Sequence, residues 1–159
     1  MPFLVPIFQM NMAKYFDSES MLYSPASGDI SEVASPGTAK GWSESMKLAS
    51  AAIFPPSVTI AAAEGAMYGM LAGWSTSNDS AGDMLVASID VFYATLALGM
   101  LPLHAAVPPM QAPIAAQFSA GMDGLGHTDW AQNVGNSIAT WVQSGTWVNI
   151  PSGAAGPWV

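Results

Sequence analysis

Basic side chains are almost absent from this sequence: Lys14, Lys40 and Lys47 are its only cations, and it contains no arginine. Charged residues make up 9% of the chain and the formal net charge is -8 at pH 7, whereas soluble domains usually carry about 25% charged residues. Three scattered lysines cannot neutralise a phosphate backbone, so we expect no nucleic-acid partner. An exterior with so few charges must be neutral, apolar or covered by another protein.

Packing alone has to stabilise this chain. Its 159 residues fit one domain with a single core. The absence of cysteine excludes disulfides, thiolate nucleophiles and cysteine-ligated metal sites. We therefore predict a mainly α fold, a small helical bundle of about four helices with an extended N-terminal arm and an irregular C-terminal tail.

Residues 1–37 are predicted to be the arm and a loop. Pro2 and Pro6 interrupt an apolar run that no basic residue precedes, so the run is not typical of a secretory signal and favours an extended segment. This arm would lie on the core of its own domain or on a neighbouring molecule. The stretch from Asp17 to Gly37 is rich in Ser, Pro, Gly and acidic residues and predicts a loop.

The helical domain is predicted to span residues 38–145. A first helix starts at Ser35-Pro36 and ends before Pro55, with an opposite, solvated face on which Lys40 and Glu44 form an i,i+4 pair. A third helix runs from about Ala81 to Met100, and a last helix is capped by Thr128 and ends near the C-cap Gly145. Their predicted core positions are Trp42, Met46, Ala49 and Ile53, then Leu85, Ile89, Phe92, Leu96 and Met100, then Trp130, Val134, Ile138 and Trp141.

The second helix, from Ser57 or Val58 to about Trp74, carries a stripe of small residues. Ala61, Gly65, Gly69 and Gly73 recur every four positions. Glycine inside a helix costs about 0.5–1 kcal/mol relative to alanine, so the stripe needs a packing explanation. We predict that these glycines form an interface with another helix or an aromatic ring; in a membrane, the same pattern is a dimerisation surface.

The remaining interface predictions concern two apolar segments of the chain. Leu101 to Gly126 contains four prolines and is predicted to be an extended crossing, with one helical turn around Ile114 to Phe118, pressed into the core or exposed as an interface. The tail, residues 146–159, has no clear periodicity. Its Trp147 and Trp158 are predicted to anchor in a partner's pocket.

No residue pattern in the sequence indicates catalysis. His104 and His127 are 23 positions apart and match no metal-ligand spacing, and the carboxylates form no calcium loop. No glycine-rich turn of the phosphate-binding kind occurs. We expect no catalytic, cofactor-binding or metal site, no bound cofactor and no enzymatic activity.

Several short motifs resemble small structural proteins of tailed bacteriophages. They are Lys40-Gly41-Trp42, Met46, Pro55-Pro56-Ser57, Gly99-Met100, Val107-Pro108-Pro109, Gly135-Asn136-Ser137-Ile138 with Trp141, and Ser152-Gly153 to Pro157-Trp158. The resemblance implies a non-enzymatic virion component of the tail, baseplate or neck. Its partners would be other virion structural proteins and further copies of itself.

Two alternatives stay open. One is a capsid decoration (cement) protein. The other is a small membrane-active phage protein with two helical spans, the glycine-striped helix and Met84 to Leu103. Three features argue against membrane spans: the carboxylates Glu64 and Asp90, the proline Pro102, and the lack of any cation after Lys47. We therefore expect no membrane partner.

Overall fold

The computed structural model describes residues 3–17, 20–23, 36–73, 81–110 and 127–158. Within these ranges the chain forms five α-helices and one three-stranded antiparallel sheet. The elements are α1 (Val5–Phe16), α2 (Pro36–Ser50), α3 (Ile60–Ala72), α4 (Ala81–Leu98), β1 (His104–Val107), α5 (His127–Val142), β2 (Thr146–Asn149) and β3 (Ala155–Pro157). The predicted mainly α bundle is confirmed, and the sheet is an addition to it.

The prediction of an extended N-terminal arm is wrong, because Val5–Phe16 forms helix α1. Phe8, Met12 and Tyr15 follow one another at helical spacing and are buried on one face of α1. Pro6 lies in the first turn, where its missing N–H removes no helical hydrogen bond. Helix α1 packs against α2 and α5 and is therefore part of the bundle.

Helix α2 lies at the centre of the bundle. The predicted core residues Trp42, Met46 and Ala49 are buried, as predicted. The face predicted to be solvated is only partly so: Lys40 is exposed, Glu44 and Lys47 are half-buried, and Ser43 and the border residue Ser50 are buried. The reason is that both α1 and α3 pack on α2.

Helix α4 ends against the loop that precedes α3. All of its predicted core residues are buried. At the C-terminal end of α4, the hydroxyl of Ser57 donates to the backbone carbonyl of Leu96 at 2.7 Å. The hydroxyl of Thr59 donates to the backbone carbonyl of Thr95, also at 2.7 Å. These bonds satisfy carbonyls that a helix end leaves without partners. Gly99 permits the approach, because a Cβ there would collide with both hydroxyls.

Helix α5 completes the bundle through aromatic contacts. The ring of Trp130 lies 5.8 Å from that of Trp42 in α2, and the ring of Trp141 lies 5.3 Å from that of Tyr93 in α4. The predicted inward positions Val134 and Ile138 are fully buried. These contacts connect α5 to two helices on different sides of the core.

The prediction of an irregular C-terminal tail is also wrong. Strands β2 and β3 form a hairpin, and β2 pairs with β1, which gives the strand order β1-β2-β3. Gly153 has a φ of 72°, a backbone conformation that favours glycine in the connecting turn. Strand β1 lies in the segment predicted to be extended. The helical turn predicted at Ile114 to Phe118 falls outside the described residues.

Candidate protein-protein interface

The register of the sheet separates its side chains into two faces. Directly opposed residues of an antiparallel pair point to the same side. One side holds the pairs Ala105 with Val148, Val107 with Thr146, Val148 with Ala155, and Thr146 with Pro157. The backbone N–H of Ile150 donates to the carbonyl of Leu103 at 2.9 Å and extends this side by one more pair.

The outer face, as we name it, consists of Leu103, Ala105, Val107, Thr146, Val148, Ile150, Ala155 and Pro157. All eight are exposed, and the four large aliphatic side chains retain 59% (Leu103), 64% (Val107), 44% (Val148) and 56% (Ile150) of their accessible surface. An antiparallel sheet with one face on the core normally turns polar side chains to water on the other. Here Thr146 is the single polar side chain of the set. Contiguous apolar surfaces of this kind are typical of interaction sites.

Charged residues are missing from both segments that build the sheet. Residues 91–122 and 130–159 contain no Asp, Glu, Lys or Arg. Strand β1 lies in the first of these runs and the β2–β3 hairpin lies in the second. The sequence analysis did not identify the outer face. The features of the sequence that indicate this face are the two uncharged runs and the alternation of Leu103, Ala105 and Val107 with His104 and Ala106.

An aromatic cluster holds the inner face of the sheet on the loop that follows α2. The ring of Trp147 lies 5.1 Å from that of Phe54 and 5.4 Å from that of His104, in both cases edge to face. Its Nε1 donates to the carbonyl of Pro157 at 2.9 Å. Trp147, predicted as an anchor for a partner, is half-buried and packs within its own chain. It fixes the sheet in place beneath the outer face.

Trp158 is a core residue, and its prediction as an anchor in a partner's pocket is corrected. Its side chain is 0% exposed. Its backbone N–H donates to the carbonyl of Gly145 at 2.9 Å, and its Nε1 donates to that of Thr146 at 3.2 Å. Gly145 does not act as the predicted C-cap, because α5 ends at Val142, three residues before it. It is needed for close approach instead, since a Cβ there would lie 3.0 Å from the Trp158 ring.

The glycine stripe of α3 faces away from the bundle. A Cβ at Gly65 or Gly69 would meet nothing within 4 Å, and a Cβ at Gly73 would meet the carbonyl oxygen of Gly69 in the same helix. The predicted close approach of another helix or ring from this chain is therefore not found among the described residues. The buried side of α3 is formed by Ala63, Met67 and Leu71. A role for Gly65, Gly69 and Gly73 in contact with another molecule stays a prediction.

All three lysines of the chain join one ion-pair network, which links α1, α2 and α3. Glu44 lies 3.5 Å from Lys14 and 3.5 Å from Lys40, and the second contact is the predicted i,i+4 pair. Glu64 lies 3.5 Å from Lys40 and 2.6 Å from Lys47. Every residue of the network lies in a helix, and none lies in the sheet.

The carboxyl group of Glu44 has an altered pKa. Burial disfavours its ionised form, but the hydrogen bond from the Tyr15 hydroxyl and the charges of Lys14 and Lys40 outweigh burial and hold the pKa of Glu44 below its usual value. Ionised Glu44 thus ties α1 to α2 at neutral pH.

The described residues offer no arrangement that resembles a catalytic or metal centre. They contain no group of three or more His, Asp or Glu side chains able to hold a metal ion. His104 is buried, with its Nε2 3.2 Å from Asn149 Nδ2 and its ring 5.9 Å from that of Phe54. The side chain of His127 lies outside the described set.

A small cleft lies between the loop after α2 and the end of α4. Its volume is about 100 Å³, and its lining includes Ser50, Ile53, Pro56 and Met100. Ligand pockets usually measure about 300–1,000 Å³. This cleft has room for a few water molecules rather than for a metabolite.

Comparisons with protein families, with curated proteins and with solved structures found no match to this chain. Among the helices that the structure describes, none is long and apolar enough to span a membrane.

Proposed function

We propose that this protein is a structural building block of a tailed-phage virion, placed in the tail, baseplate or neck, and that it acts through protein-protein contacts. The observation that carries the proposal is the uncharged, apolar outer face of the sheet. The sequence motifs that resemble phage structural proteins are the reason for proposing a phage particle. A component surrounded by neighbours can leave apolar residues such as Val107 and Ile150 exposed in the isolated chain, because assembly covers them.

The two alternatives fit the structure differently. A capsid decoration protein would use an apolar face in the same way, so it differs from the main proposal only in its place in the particle. A two-span membrane protein would put Glu64 inside the bilayer, whereas Glu64 is paired with Lys40 and Lys47 of α2. Breaking these pairs to insert α3 in lipid would be costly, so the building-block proposal is favoured.

The experiment that tests the function is a search for this chain in purified particles of the phage whose genome encodes it. Virions are banded on a density gradient, and their proteins are identified by mass spectrometry. We expect the chain in the particle band, and in the tail fraction after capsids and tails are separated. Recovery with capsids would favour decoration, and absence from intact particles would contradict the proposal.

A matched pair of variants tests whether the outer face is responsible. Val148→Lys places a charge on the central strand of the face, while Val58→Lys places the same charge on an apolar residue that is 88% exposed and lies outside the sheet. In a competition with the wild-type chain during particle production, Val148→Lys should be excluded from virions and Val58→Lys should be incorporated. Equal incorporation of both variants would show that the outer face is not needed for assembly into the particle.

A further inference from the structure

We infer that the outer face binds a second copy of this chain, with the two sheets packed face to face about a twofold axis. The inference rests on the proposed function and names the first partner of the building block. Sheets that pack face to face lie about 10 Å apart and bury the side chains of both facing surfaces. Such a contact uses the same residues on both copies.

Charge restricts contact between two copies to the outer face. Each chain carries a formal net charge of -8, so two copies repel one another wherever their carboxylates face. They can approach closely only through a surface without carboxylates, and the outer face and its sequence neighbourhood contain none. A basic partner would instead be attracted to the acidic segments elsewhere in the chain.

The edges of the sheet favour face-to-face contact over strand addition. Strand β1 is followed directly by Pro108 and Pro109, and β3 ends at Pro157. Proline has no N–H to donate to an added strand, and short strands ending in proline are a common protection of sheet edges. The edges are thus poor templates for pairing, whereas the apolar face between them is open.

The single polar side chain of the outer face also suits a symmetric partner. Thr146 is the first residue of β2 and forms an end row of the outer face with Val107 and Pro157, whereas Val148 lies in the middle row. A hydroxyl at the rim of the contact both donates and accepts hydrogen bonds, so it can bond to water or to polar groups of the second copy. Thr146 also brings no charge to the contact, so a second copy meets no like charge there.

The extent of the apolar surface is compatible with a stable contact. A standard interface buries about 800 Å² on each partner, with an apolar core inside a polar rim. The eight residues of the outer face would form that core.

The test is sedimentation equilibrium of the purified chain, without detergent, over a range of concentrations and salt. We expect a monomer–dimer equilibrium whose dissociation constant falls as salt rises, because salt screens the repulsion between two acidic copies. Val148→Lys should raise the dissociation constant by at least about tenfold. Val107→Lys, on the adjacent strand, should act in the same direction, and the control Val58→Lys should leave the equilibrium unchanged. Circular dichroism of each variant verifies that the helices are retained.

Three outcomes would overturn the inference: a wild-type monomer at every concentration, a dimer unaffected by both sheet variants, or an equal effect of Val58→Lys. These results are separable from the proposed function. A monomeric wild type whose Val148→Lys variant fails to enter virions would assign the outer face to a different virion protein. A dimer that is absent from virions would leave the self-contact in place and contradict the virion role.

Discussion

The ring of Trp158 lies 6.0 Å from the ring of Tyr93, and this contact joins the end of the C-terminal hairpin to the middle of α4. Both side chains are fully buried. Tyr93 in turn shares a 3.1 Å hydrogen bond with Ser50 at the end of α2, and burial raises the pKa of Tyr93 well above its usual value. The hairpin that carries five of the eight residues of the outer face is therefore fastened to the helical core.

Replacing Trp158 by alanine should destabilise the protein by about 3–5 kcal/mol, the usual cost of truncating a large buried aromatic side chain. Urea unfolding followed by circular dichroism measures the change. The control Pro157→Ala alters the exposed neighbour and should cost much less. Truncation before Pro151 removes β3 and Trp158 together and should prevent native folding. A truncated chain with wild-type stability would show that the tail is dispensable to the core.

Glycine substitutions should distinguish an open helix face from a crowded turn. Gly69→Ala adds a methyl group where nothing lies within 4 Å and removes a flexible residue from α3, so it should stabilise the protein by about 0.5–1 kcal/mol. Gly145→Ala would place its Cβ 2.8 Å from Pro109 Cδ and should destabilise it by about 1–3 kcal/mol. Thermal unfolding of the two variants provides the comparison.

The Gly69 result also bears on the glycine stripe as an interface. If Gly69→Ala folds normally and Gly69→Leu folds normally but fails to enter particles, then the stripe contacts another molecule. Destabilisation of the isolated chain by Gly69→Ala would instead mean that α3 packs closely within its own protein.

Helices α2, α4 and α5 could be predicted because their apolar residues repeat at helical spacing. The buried set Leu85, Ile89 and Phe92 was identified by this criterion alone. Helix α1 carries the same signal in Phe8, Met12 and Tyr15, but Pro6 wrongly suggests a break in the segment, because it occupies the first turn. The position of a proline within a helix, and not its presence, decides its effect.

The sheet and the outer face could not be predicted from local pattern. Strands of three and four residues are too short for a clear alternation, and the pairing of β1 with β2 joins segments about forty residues apart in sequence. The same holds for Trp158, whose burial depends on Tyr93 of α4. An indole in a segment rich in glycine and proline has no local feature that separates a core residue from an interface residue.

Acid should weaken the contact between α1 and α2. Because the folded-state pKa of Glu44 is lowered, its ionisation contributes stability that is present above its ordinary pKa of about 4.3 and is lost as pH falls through the folded-state value. Tyr15→Phe removes the hydrogen bond to this carboxylate and should cost about 1 kcal/mol at pH 7. That difference between the variant and the wild type should shrink as the pH falls through the lowered folded-state pKa of Glu44.

Urea unfolding at several pH values measures this effect, with Tyr68→Phe on the exposed side of α3 as the control. The control should follow the wild type at every pH. A Tyr15→Phe difference that stays constant down to acid pH would show that the ionisation of Glu44 does not matter to the contact.

The histidines provide the sharpest distinction between a building block and an enzyme. The ring of His104 packs against both Phe54 and Trp147, so His104→Gln should lose part of that packing, about 0.5–1.5 kcal/mol, and still enter virions. His127→Gln should likewise leave incorporation intact. Unfolding curves and mass spectrometry of purified particles measure the two quantities separately. If both variants fold as the wild type does and yet particle production fails, the histidines perform chemistry that an assembly protein does not need, and the building-block proposal is wrong.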